Sequence, residues 1–218
     1  MNEEIVKLKK PSLFGIITNP VKQFNRIRER PTVWLPLVIV AILCSAADFF
    51  LDLKFPDDHS VFVNINLEGA GKYFLYGILI VIGSFRYAFS YVISALVLWL
   101  IAKIGGGKTN FVTMFSLSIY ISIVTAISSL MISIACYFKG SLDPLMLTNL
   151  SGYIEVDLPF VMVLLMIDIF TIWNLVLTAI GLQKTAGASK VASWIGVAIL
   201  FALSLLLGYL YGLLLMIN

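Results

Sequence analysis

The chain has 218 residues, of which 60% are hydrophobic and 12% charged, with a formal net charge of +3 and a mean hydropathy of +0.99. A soluble globule carries roughly 45–50% apolar residues, so these figures exclude one and point to an integral membrane protein. A single histidine and two cysteines leave little material for imidazole, metal or redox chemistry.

Residues 1–31 form a basic segment. In LFGIITNPVKQFNRIRERP, Ile17, Val21, Phe24 and Ile27 recur at helical spacing, with Lys22, Arg26 and Arg28 interleaved and Arg30 following. A basic amphipathic helix of this kind lies along an anionic membrane surface; the plainer alternative is a solvated helix that leads into the first span. Pro20 opens the helix and Pro31 ends it. The remainder, 32–218, holds five apolar runs near 32–53, 77–104, 112–138, 159–182 and 191–217. Each is long enough to cross a bilayer, and backbone groups in hydrocarbon must pair within the chain, so helices are expected. The fold class is therefore all-α, a five-helix transmembrane bundle with an N-terminal amphipathic interfacial helix. The first run is not a cleaved signal, because the basic region before it is too long for a signal's n-region and four more spans follow. Leu43 before Cys44 argues against a lipid attachment site, and Cys44 and Cys136 read as apolar filler.

Between the second and third runs stands GGGKT, residues 105–109. A phosphate loop needs a glycine five residues before the Gly-Lys-Thr glycine, where Ala102 stands, and a strand and soluble helix on either side. Bilayer-length runs flank it instead, so it reads as a tight turn. GLQKTAGASK, between the fourth and fifth runs, echoes it, either as the trace of a duplicated hairpin or through the common need for Gly and Lys at a helix end. Lys7, Lys9, Lys10, Lys22, Arg26, Arg28, Arg30, Lys103, Lys108, Lys184 and Lys190 fall on one side, and only Lys54, Lys72 and Lys139 in the other connections. The positive-inside rule then places the N-terminus in the cytoplasm and the C-terminus outside.

Charges inside the runs are the sharpest clues. Asp48, Arg86 and Asp168 lie 18, 17 and 16 residues from the cytoplasmic anchors Arg30, Lys103 and Lys184, hence at a similar depth in the outer part of the bilayer. An intramembrane charge costs about 2.5–3.5 kcal/mol on insertion scales and is paired or faces water. Arg86 is accordingly expected between Asp48 and Asp168, as a charge cluster that fixes packing or as a polar site for an ion or headgroup. The alternative is that Arg86 marks the membrane edge and residues 70–85 lie on that surface. Thr171 and Asn174 are expected to face the bundle interior. Ser118, Ser122, Thr125, Ser129 and Ser133 form a stripe for close helix approach, and Gly208 and Gly212 a G-x-x-x-G pair that packs within the bundle or makes a homo-oligomer.

Leu13-Phe14-Gly15, Asn19-Pro20, Phe24, Ile27 and Pro31, then GGGKTNFVTMFSLSIYIS, then IDIFTIWNLVLTAIGLQKTAGASKVAS together resemble the YIP (Ypt-interacting protein) domain family over nearly the whole chain. The resemblance implies a five-helix bundle with a cytoplasmic N-terminus. Members often carry a proline after the tyrosine of the third span, whereas Tyr120 is followed by ISIV, which puts a kink there in doubt. Eukaryotic relatives act in vesicle traffic and contact Rab-type GTPases, and some bacterial relatives associate with ABC-type exporters. Short loops and Lys, Ile and Asn usage point to a bacterial member of the plasma membrane.

No catalytic set is visible. His59 stands beside Asp57 and Asp58 in an external loop, read as solvated rather than metal-binding. Neither cofactor nor metal is expected, and membrane phosphates explain the basic segment better than nucleic acid does. Two functions remain. One is a non-enzymatic membrane adaptor with a membrane-protein partner and anionic lipid at its cytoplasmic face. The other is a small transporter or channel using Asp48, Arg86 and Asp168. Broken spans would favour the second, and none is evident in the sequence.

Overall fold

The computed structural model describes residues 9–55 and 70–217. Its helices are α1 (Gly15–Thr18), α2 (Pro20–Glu29), α3 (Trp34–Lys54), α4 (Ala70–Ile104), α5 (Phe111–Lys139), α6 (Asp143–Met146), α7 (Phe160–Met166), α8 (Ile169–Gly181) and α9 (Lys190–Ile217). A π turn, Leu182–Ala186, continues α8. Four helices, α3, α4, α5 and α9, are long and apolar enough to cross a membrane. Residues 57–59, with His59 and its two aspartates, lie outside the described residues.

Helix ends follow local chemistry. Asn19 accepts from the Lys22 N–H and Pro20 opens α2; Asn110 accepts from the Thr113 N–H and opens α5. Gly106, Gly140 and Gly187 take φ of +76°, +71° and +71° where α4, α5 and the π turn end, a conformation open to glycine at no steric cost. In GGGKT four of the five N–H groups are engaged by carbonyls: Gly105 to Ile101 (2.9 Å), Gly106 to Lys103 (3.1 Å), Gly107 to Ala102 (2.7 Å) and Lys108 to Ala186 (3.0 Å). No run of free N–H groups is left to cradle a phosphate. The last of these bonds, with Ser189 N–H to Gly105 O at 3.0 Å, joins the two glycine turns to each other and defines the glycine-turn end of the bundle.

The central helix is α5, which packs against α3, α4 and α8. Between lipid-immersed helices the hydrophobic effect gives little drive, so close approach and hydrogen bonds hold them together. The serines of α5 serve both: Ser116 donates to Thr32 O (2.9 Å) and Ser118 to Tyr91 O (3.1 Å). The helix runs unbroken through Tyr120, whose hydroxyl donates to Pro11 O at 3.1 Å and meets Thr32 Oγ1 at 2.7 Å. The Tyr120 contacts pin the N-terminal segment to the bundle.

Two expectations change here. First, α1 and α2 dock on the protein: Ile16 of α1 and Phe24 and Ile27 of α2 are fully buried, α1 packing on α5 and α2 on α5, α8 and the π turn, and Thr185 Oγ1 donates to Phe24 O at 3.3 Å. Burying each such side chain from water contributes about 1.5–3 kcal/mol, and the spacing that suggested a lipid-facing stripe serves protein packing at Phe24 and Ile27. Second, the fourth apolar run is not one helix. It divides at Ile167–Asp168 into α7 and α8. By contrast α4 is continuous over 35 residues, about 52 Å, so residues 70–85 belong to the same helix as the span rather than form a separate one.

A Cβ at Gly107 would sit 2.9 Å from both Ala102 O and Ala186 O, whereas one at Gly77 meets nothing within 4 Å. Gly107→Ala is expected to lower stability by about 1–3 kcal/mol, and Gly77→Ala to leave it unchanged or raise it by up to about 1 kcal/mol through helix propensity. Thermal unfolding of the detergent-solubilised protein reads both.

Candidate functional site

The first polar cluster joins α3 and α4. Asp48 lies six residues before the end of α3 at Lys54, about 9 Å along the helix. Its Oδ2 accepts from Arg86 Nη2 at 2.7 Å and from the Tyr87 hydroxyl at 2.9 Å. The guanidinium also stacks on the Tyr87 ring, 4.9 Å from its centroid, and keeps 49% of its side chain exposed. Below it Cys44 Sγ meets the Tyr91 hydroxyl at 3.4 Å and Ser45 meets Ser84 at 3.2 Å. These contacts keep one register between antiparallel α3 and α4. One turn from Asp48, Asp52 Oδ2 is buried and has no hydrogen-bond partner among the described residues.

The second feature is the interruption before α8. Asp168 Oδ1 accepts from the N–H groups of Phe170 (2.7 Å) and Thr171 (3.1 Å), an N-cap. An extended segment supplies the rest: Leu150 N–H donates to Ile167 O and Ile169 N–H to Thr148 O, both at 3.1 Å. These bonds form the bridge between Asn149 and Asp168. Asn149 is fixed in turn, its Nδ2 donating to Leu145 O at 2.6 Å and its Oδ1 accepting from Ser151. Nearby, Asp143 accepts from Lys139 at 2.9 Å and Ser141 at 3.0 Å; the Lys139 hydrogen bond holds its carboxyl below the usual carboxylate range.

The third is a cavity of about 210 Å³ lined by Ser94 and Leu98 of α4, Ser118, Ile121 and Ser122 of α5, Asn174, Leu175 and Thr178 of α8, and Val197 and Leu200 of α9. Asn174 Nδ2 donates to Thr125 Oγ1, tying α8 to α5.

The Yip1 domain model matches residues 14–213, a stretch that contains all three features. The chain belongs to the Yip1 domain family. It is 38% identical over 215 residues to "Membrane protein YknW" of Bacillus subtilis (strain 168), covering 94% of this chain and 91% of that one. No solved structure matches it.

Within this Yip1 domain, Arg86 is paired with Asp48, but Asp168 is held elsewhere: similar depth did not bring it to Arg86, because its carboxylate caps the interrupted helix. Thr171 contributes its N–H to that cap and is half-buried. Of the α5 stripe, Ser118 and Ser133 are buried, Ser122 and Ser129 half-buried and Thr125 exposed. Gly208 and Gly212 are buried against Met162, Met166 and Pro159, inside the chain. Lys22, Arg28 and Arg30 are exposed on α2 and its end, while Arg26 is half-buried with Nη1 donating to Gln23 Oε1 at 3.3 Å. Sequence reading passed over Tyr87, Asn149, Ser94 and Thr178. Tyr87 adjoins Arg86, and Thr178 is four residues from Asn174, so both were within reach of a depth argument; Asn149 had no local signal.

Two outcomes are expected. In a double-mutant cycle, Asp48→Leu and Arg86→Leu should show a coupling on the order of 1–2 kcal/mol, the double variant unfolding at a higher temperature than additivity allows. Asp168→Ala should lose about 1 kcal/mol, while Asp168→Asn, a competent cap without the charge, should retain stability; equal losses in both would mean that the charge matters there.

Proposed function

We propose that this Yip1 domain protein is a non-enzymatic membrane adaptor, an accessory subunit held by its helices and its basic segment to a larger membrane complex such as an ABC-type exporter. The observation that carries the reading is the state of the interrupted span. In a transporter, the backbone groups freed by a broken helix coordinate the substrate or ion. Here the Ile167 carbonyl and the N–H groups of Ile169, Phe170 and Thr171 are bonded within the chain.

In this reading α8 and the π turn, residues 169–186, make the remaining crossing of about 27 Å, for five in all. The protein sits in a bacterial plasma membrane with the glycine-turn end in the cytoplasm, where Lys103, Lys108, Lys184 and Lys190 gather with the basic segment. The outward side of α1 and α2, with Ile17 and Val21 about 40% exposed beside Lys22 and Arg28, rests on anionic headgroups as the interfacial face of the amphipathic segment.

A second reading as a small transporter has in its favour the broken fourth span itself and the Asp52 oxygen, one turn from the Asp48–Arg86 pair, which has no partner among the described residues. The two are separated by recovering tagged protein from native membranes in nanodiscs. The expected result is stoichiometric recovery of a membrane-complex subunit, weakened in Lys22→Gln/Arg28→Gln. Recovery of the protein alone, together with flux through liposomes that Arg86→Gln abolishes without loss of fold, would transfer the assignment to transport.

A further inference from the structure

The inference rests on the adaptor reading and concerns where the partner binds. Helices α4 and α9 are close near the glycine turns, where a Cβ at Gly196 would sit 2.5 Å from Ile101 and one at Gly105 3.0 Å from Ala192. Their mutual packing is slight beside that of α4 on α3 and α5 or of α9 on α7. α4 leans on α3 through Tyr91, Tyr87 and Arg86, and α9 leans on α7 through Gly208 and Gly212. The cavity of about 210 Å³ lies in the resulting wedge, roughly seven times the liquid volume of one water. Ser94 at its lip is exposed and stands ten residues from the end of α4 at Ile104, about 15 Å, the middle of a bilayer of about 30 Å.

Hydrogen-bond accounting says what fills it. A hydroxyl has one hydrogen to donate and two lone pairs to offer. At the floor, the single Ser118 hydrogen is shared between Tyr91 O and Phe115 O, that of Ser122 goes to Ser118 O at 2.8 Å, and that of Thr178 to Asn174 O at 2.7 Å. With their hydrogens taken, these hydroxyls can only accept from an occupant, as can the buried Asn174 Oδ1, which has no partner among the described residues. Ser94 has no hydrogen-bond partner among the described residues and keeps its hydrogen. No charged side chain lines the wedge, so a bare ion entering from hydrocarbon would be uncompensated. Lipid tails satisfy neither floor nor lip. The fitting occupant is neutral, enters sideways, donates to the floor and accepts from the lip.

We propose that the wedge between α4 and α9 is the docking groove for one transmembrane helix of the partner, which places a Ser, Thr, Asn or Gln side chain at mid-bilayer against Ser118, Ser122 and Thr178. The gain per such bond in membranes is modest, so it acts as a register device on top of helix packing.

The test places photo-reactive benzoylphenylalanine at Ser94 in the full-length protein in native membranes, with the same probe at exposed Ile199 as the lipid-facing reference. The expected product is one discrete adduct to a membrane helix of the co-recovered partner, mapped within one turn of a Ser, Thr, Asn or Gln. Yield should fall about three- to eightfold in Ser122→Ala/Thr178→Val, the loss of one to two interhelical bonds, with unchanged thermal unfolding. Leu200→Trp, which fills the wedge and leaves every polar group, should remove the adduct. Adducts to lipid or to a second copy, or an apolar partner site insensitive to these variants, overturn the groove while leaving the adaptor reading intact if the partner still co-purifies. Absence of any co-purifying partner overturns both.

Discussion

A peptide group inside hydrocarbon has no water to bond, and this single constraint organises the protein. Four long helices meet it by themselves. The fourth apolar run does not, since it stops being helical at Ile167, and the chain meets the constraint there by bringing residues 148–150 alongside and turning Asp168 into a cap. An aspartate that looks like an intramembrane charge is in this setting a replacement for missing helical carbonyls. The same economy operates at the other end, where the two glycine turns close each other's open backbone groups.

Because burial gives little drive between helices in lipid, the hydroxyls of α5 carry much of the specificity. Ser116 and Ser118 bond to the backbones of neighbouring segments, Tyr120 holds the N-terminal strand of residues to the bundle end, and Thr125 takes the amide of Asn174. Helix α2 belongs to a different regime. It is too polar to be lipid-immersed, with Lys22, Arg28 and Glu29 exposed, and ordinary hydrophobic burial draws in Phe24 and Ile27. The bundle is thus held by polar contacts along its length and by an apolar plug at one end. The Asp48–Arg86–Tyr87 group adds a charged latch between α3 and α4.

The adaptor reading and the lateral wedge follow from where polar capacity is left over. At the interruption the Ile167 carbonyl and the N–H groups of Ile169, Phe170 and Thr171 are taken. In the α4–α9 wedge acceptors line the floor and exposed Ser94 stands at the lip. In the proposed reading this leftover capacity is a position for a partner helix to lock into rather than a route for a substrate.

Much was legible beforehand, for identifiable reasons. Membrane residence, the four long helices and the glycine turns follow from run length, hydropathy and φ preference, all local to the chain. The Asp48–Arg86 pairing was approachable because depth can be counted along helices. Depth alone is a one-dimensional coordinate, and it misassigned Asp168, whose fate depends on which backbone comes beside it. Likewise Ile17, Val21, Phe24 and Ile27 declare an amphipathic helix, but whether lipid or protein covers that stripe depends on the surface opposite. What the sequence by itself determined was membrane residence and the four long helices, because run length and hydropathy are local to the chain. Only the tertiary structure decided which groups meet, where a helix is interrupted and what remains unfilled, because azimuth around each axis and the splay between helices arise from packing among distant segments.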